Sequence, residues 1–183
     1  MADVSDYYAG QQKIVVLDAN ILACHEKRDL LRQLLDTKAY IDFSQGLDIR
    51  LLNDEDMDDL NHMRIKWPHF AWDNPDEDLE PFFARFAADY HRKAKGMVYV
   101  LTNFNPSSLE DDIEKALYRI YILHSLGYDP YVMIYDKPSA AHELKQLARW
   151  CNNKWVFKKC PNWDDYNVSL HGKKYVQMTM EGV

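Results

Sequence analysis

At 183 residues, with 47% hydrophobic and 13% aromatic residues, the chain has the composition of one folded domain with a sizeable core. No stretch approaches the roughly 20 apolar residues that cross a bilayer. The polar, acidic residues 1–13 have neither the basic start nor the apolar run of a secretory signal, so the chain is read as a cytoplasmic protein with no membrane partner. A net charge of −7 argues against a nucleic-acid partner, because phosphate binding needs concentrated Lys and Arg.

In chain order, residues 1–12 read as an irregular lead-in with a turn at Gly10. Residues 14–17 form a β-branched run, the pattern of a strand buried on both faces of a parallel sheet. It ends in the polar tip Asp18-Ala19-Asn20. Leu30, Leu31, Leu34 and Leu35 then fall at helical spacing, predicting a helix over about 25–37. A second strand over 40–44 ends in a long tip, 45–50. Asn53 is placed to cap the next helix, with Asp54, Glu55 and Asp56 in its first turn where the macrodipole favours acids, so this cluster is not read as a metal site.

A third strand, 69–72, ends in Asp73-Asn74-Pro75 before a helix over about 76–91, with Phe82, Phe83 and Phe86 as its core stripe. Strand 97–102 follows, then a long helix capped by Ser107 or Ser108 and ended by Gly127. Strand 131–135 leads to a helix from Ser139 to Cys151, and 155–158 read as one last short strand. Residues 13–165 thus carry the β/α units of a single domain, and 166–183 are a tail.

Five apolar runs therefore end in polar tips. In parallel α/β architectures the carboxyl ends of strands gather ligand-binding loops over an apolar floor. Right-handed connections would place the helices over one face of a curved sheet. Five or six strands are too few to close as eight do, leaving an open parallel sheet or a partial barrel.

Cys24, Cys151 and Cys160 have no CxxC spacing and read as reduced thiols, with Cys24 nearest a strand tip. The seven histidines, from His25 to His171, have no HxH or HxxxH spacing. Phosphate-loop, GxSxG and GxGxxG motifs are absent. Trp150, Trp155 and Trp163 could cover an open side of the sheet or form a partner interface.

The segments VLDANILA (16–23), IDFSQGLDIRLL (41–52), HFAWDNP (69–75), VYVLTNF (98–104) and LGYDPYVMIYDKP (126–138) resemble the later part of the core of radical S-adenosylmethionine (radical SAM) proteins of the type common in bacterial and phage genomes. The resemblance spans about 13–165. It implies an α/β, TIM-barrel-like partial (β/α) barrel lacking its first strands, in a family that cleaves S-adenosylmethionine reductively at a [4Fe–4S] cluster. The family's Cys-x₃-Cys-x₂-Cys loop is missing, so this chain has no ligand set for the cluster and autonomous radical chemistry is not expected. A partner chain, or a segment upstream, would supply the loop. The open edge of the first strand present would invite residues 1–12, a partner or a second copy of the chain to pair with it.

By position, the resemblance places Gln45, Asp48, Arg50, Asp73, Asn74 and Asn103 around the nucleoside and methionyl groups of the cofactor. Asp18, Asn20, Tyr135 and Asp136 fall on the substrate side. Asp48 suits a ribose diol and Arg50 a carboxylate. Local alternatives stand beside these roles: Asx turns and capping for Asp18, Asn20, Asp73 and Asn74, turn chemistry for Asp136, and pairing of Arg50 with Asp48 or Asp54. The competing functional reading is a non-catalytic α/β binding or assembly subunit; a hydrolase or metal enzyme assembled only in three dimensions is a third.

Overall fold

A computed structural model describes residues 3–167. Among these, β1 (Lys13–Val16), β2 (Tyr40–Phe43) and β3 (Arg64–Ile65) form one three-stranded sheet in that order, and β4 (His69–Trp72), β5 (Met97–Thr102) and β6 (Asp129–Ile134) form another. Every pairing is parallel. Six helices accompany them: α1 (Lys27–Asp36), α2 (Asp54–His62), α3 (Glu80–Asp89), α4 (Leu109–Ser125), α5 (His142–Asn152) and α6 (Lys154–Lys159). The result is a mixed α/β protein. No helix among the described residues is long and apolar enough to cross a membrane.

The two sheets meet along the segment 64–72, because β3 pairs with β2 and β4 pairs with β5. One backbone bond crosses the break: the Leu47 N–H donates to the His69 carbonyl at 2.8 Å. Register then sorts the side chains by parity. Phe70, Val98 and Pro130 stand side by side, as do Trp72, Val100 and Val132, and all six are buried. Their alternates, Ala71, Tyr99 and Tyr131, form a row on the opposite face that is at least partly open to solvent. A strand's two-residue period assigns the two faces in this way.

Aromatic rings fill the covered side. Phe70 meets Phe86 edge to face at 4.9 Å, and Trp72 stacks on Phe83 at 5.5 Å. Such pairs add about 0.5–1.5 kcal/mol each beyond the area they bury. Helix starts follow local chemistry: the Asn53 side chain accepts from the Asp56 N–H at 2.8 Å, and the Asp56 carboxylate accepts from the Asn53 N–H at 3.1 Å. That carboxylate is buried and also binds Lys27 at 2.8 Å, while Arg28 reaches Asp59 at 2.6 Å, tying α1 to α2.

Several expectations need correction. Residues 155–158 are helical within α6, because Asn153 caps Trp155 and Val156 and the buried Phe157 turns onto Trp150. The first strand is not buried on both faces, since Val15 is 47% and Leu17 72% exposed. Phe82 turns outward while Phe83 and Phe86 are buried. The helix after Pro75 begins only at Glu80, with Pro81 in its first turn, and Ser139 precedes α5 in a turn built on Asp136. Trp150 does not cover an open side: it is buried, donates its indole N–H to the Cys160 carbonyl at 2.7 Å, and carries Trp163 against its ring. The lead-in lies on α1, where Val4 N–H reaches Gln33 at 2.8 Å and Tyr8 O–H reaches the Thr37 carbonyl at 2.9 Å. Residues 168–183, most of the expected tail and including His171, lie outside the described residues.

Candidate functional site

The carboxyl ends of β1, β2 and β4 converge on a cleft of about 420 Å³. Asn20 comes from the first tip, Gln45, Asp48 and Arg50 from the second, and Asp73, Asn74 and Glu77 from the third. Gly46 lets the second tip turn inward: its φ is 92°, and a Cβ there would stand 3.3 Å from the His69 carbonyl oxygen. Only glycine takes that conformation without strain.

Within the cleft, Arg50 is already engaged. Its Nε and Nη2 meet the two oxygens of Asp48, both at 2.8 Å, and its Nη1 meets Glu77 at 2.9 Å. Hydrogen bonding from Arg50 holds the Asp48 carboxyl below its usual range, and Asp48 with Glu77 pushes the guanidinium up. Asp73 differs. Its carboxylate accepts no hydrogen bond from the described residues, and burial raises its pKa against the opposing charge of Arg119. The Asn20 Oδ1 is buried without a partner. Asn74 accepts the Asp76 N–H at 3.0 Å, an Asx turn that leaves its amide NH₂ for other contacts.

Beneath the third tip lies Arg119 of α4, fully buried, donating to the carbonyls of Trp72 at 2.7 Å and Leu101 at 3.0 Å. Burial lowers its pKa to about 10. It clamps the ends of β4 and β5 from below and so fixes where Asp73 stands. The sequence carries a faint signal for it, because Arg119 sits on the stripe set by Ala116, Ile120 and Leu123. Read alone, an arginine there looks like a solvated helix residue.

The cleft opens onto the uncovered face of the second sheet. Gln45, Ala71, Asp73 and Tyr99 are shared with a trough of about 680 Å³ that continues over Met97, Leu101, Tyr131 and Met133. Tyr99 was not singled out by sequence, yet the alternation Met97, Tyr99, Leu101 against the buried Val98 and Val100 is the signal that places it there.

Four residues assigned by resemblance fall elsewhere. Asn103 does not line the cleft: its N–H donates to Asp112 at 2.7 Å and its amide to the Tyr135 carbonyl at 2.8 Å, joining the tips of β5 and β6. Asp18 accepts the Asn20 N–H at 2.9 Å and faces a groove beside β1. Tyr135 is exposed against Phe104, and Asp136 holds Ser139 at 2.6 Å in a turn.

The cysteines do not fit an iron–sulfur cluster. Cys151 and Cys160 are buried in the helical layer, where burial pushes the Cys151 thiol up to about 12, and Cys24 lies beside Glu26 near β1. No group of three metal-ligating side chains converges among the described residues.

Fold and cleft together define an α/β protein with a polar, carboxylate-rich site at the ends of parallel strands. Neither a protein-family model, nor a curated protein, nor a solved structure matches the chain.

Proposed function

We propose that the cleft binds the adenosyl part of S-adenosylmethionine, in a partial (β/α) barrel of the radical SAM type. The observation that carries this reading is the convergence of Asn20, Gln45, Asp48, Arg50, Asp73 and Asn74 from three strand tips onto one cleft. Parallel strands in consecutive order within each sheet, with one face covered by helices, are what a barrel segment requires.

Charge supports a cationic ligand. Three carboxyl groups, on Asp48, Asp73 and Glu77, line the cleft against the single guanidinium of Arg50, which disfavours a nucleoside phosphate and favours a sulfonium. Asp48 spends both oxygens on Arg50, so in this reading the ribose diol falls to the unengaged Asp73, with Asn20 and Gln45 beside it. Tyr99 offers its ring to the base. The bound cofactor supplies a sulfonium carbon that one-electron reduction can cleave; the residues here bind and orient it. Because the thiols do not fit a cluster, the reading is confined to binding.

Isothermal calorimetry with S-adenosylmethionine, 5′-deoxyadenosine and ATP tests this. Heat is expected with the first two and none with ATP, and Asp73→Ala is expected to weaken binding about tenfold or more, the loss of a charged hydrogen bond. No heat with either adenosyl ligand, from protein whose circular dichroism shows it folded, would refute the reading. The other reading, an assembly subunit, is favoured by one observation, the open edge of β1.

A further inference from the structure

The outer strands of the two sheets end differently. At the start of β6 the Asp129 N–H donates to the Gly96 carbonyl just before β5, and just past its end the Tyr135 N–H donates to Thr102, so by alternation Pro130, Val132 and Ile134 point their backbone groups outward. Pro130 has no N–H, and its carbonyl accepts the Cys151 thiol at 3.4 Å. Asn152 then imitates a neighbouring strand: its Oδ1 accepts the Val132 N–H at 2.7 Å and its Nδ2 donates to the Val132 carbonyl at 3.0 Å. This edge is capped at Pro130 and Val132.

On β1 nothing comparable occurs. Gln12 and Val16 direct their carbonyls to Tyr40 and Ser44 on the β2 side, so Lys13, Val15 and Leu17 present theirs outward by the alternation of a parallel ladder. Among the described residues no strand pairs with that edge. The lead-in, pinned to α1, stands off and leaves a groove of about 620 Å³ whose walls include Val4, Tyr8, Val15, Leu30 and Leu34. Lysine often blunts such an edge, yet Lys13 is drawn to Asp42 on β2 at 2.7 Å.

We propose that β1 is a homodimer interface, in which two copies of this chain pair their β1 edges antiparallel about a two-fold axis at Val15. Parity fits this partner. The axis sets Val15 against its own copy and Lys13 against Leu17, all outward-facing positions, allowing about six backbone hydrogen bonds. Charge fits as well. In a chain of net charge −7, residues 13–17 contain no acid, and the antiparallel register keeps the two lysines from facing each other. Pairing covers the exposed Val15 and Leu17, and each groove receives even-numbered side chains of the other copy. The arrangement does not depend on the ligand of the cleft.

Sedimentation equilibrium of the full chain over a range of concentrations is the test. The expected result is reversible dimerisation. Val15→Pro removes an outward N–H without touching the β2 ladder, a substitution edge strands tolerate, and should yield a monomer with an unchanged circular dichroism spectrum. Should that variant misfold, Leu17→Lys sets lysine against lysine at an exposed position and should raise the dimer dissociation constant at least tenfold. A wild-type chain that stays monomeric overturns the proposal, and so does a dimer indifferent to either folded variant.

Discussion

Asp48 and Asp73 are both aspartates at strand tips, and their surroundings separate them. Asp48 is locked by Arg50, which depresses its pKa; Asp73 stands at the cleft wall with no hydrogen-bonding partner among the described residues, and partial desolvation of its carboxyl raises its pKa. A carboxyl group whose folded pKa lies below the unfolded value contributes stability above the unfolded pKa and loses it as pH falls through the folded one. Urea unfolding should therefore show Asp48→Asn less stable than wild type by about 1 kcal/mol at pH 7, the modest size reflecting water around the half-exposed Arg50. The gap should shrink steadily as pH falls below about 4. A gap that holds constant into strong acid would mean that the Arg50 pair does not set it. From sequence these two acids look alike, because the tips show which residues are polar and not which polar groups already satisfy one another.

At the scale of elements, hydrophobic periodicity and capping residues made most of the fold legible. Asn53 and Ser108 cap helices as their positions predict, and five of the six strands fall on the expected apolar runs. The two-residue β3 is too short to leave a pattern, and residues 155–158 read as a strand although they are helical, because three consecutive large apolar residues carry no period of their own. Least legible of all is the capping of β6. Asn152 ends α5 and reads as an ordinary helix-terminal polar residue, yet it satisfies both outward groups of Val132. Asn152→Ala should lower stability by about 1–3 kcal/mol, measured by urea unfolding, since a half-buried N–H and C=O lose their partners together. It should also make the protein aggregate sooner on heating, followed by light scattering, as β6 becomes a second open edge. An Asn152→Ala protein as stable and as soluble as wild type would show that the amide is incidental.

For the whole molecule, one face of the paired sheets is buried under helices and rings, while the other carries the cleft, the trough and, at its margin, the open edge of β1. Fold class was readable because strand and helix periods differ. The cleft was readable in part, because the polar tips of parallel strands lie at one end by necessity, whereas Tyr99 reaches it only through sheet register, Glu77 only through the fold of the loop after β4, and Arg119 supports it from below only through the packing of α4. The central claim is that this cleft, and not the outlying tips at Asn103, Tyr135 and Asp136, takes an adenosyl ligand. Amide chemical-shift mapping during titration with S-adenosylmethionine tests it most directly. The account predicts saturable shifts at Asn20, Gly46, Asp48, Ala71, Asn74 and Tyr99 with little change at Asn103 and Asp136; shifts confined to those outlying tips, or none at all, would contradict it.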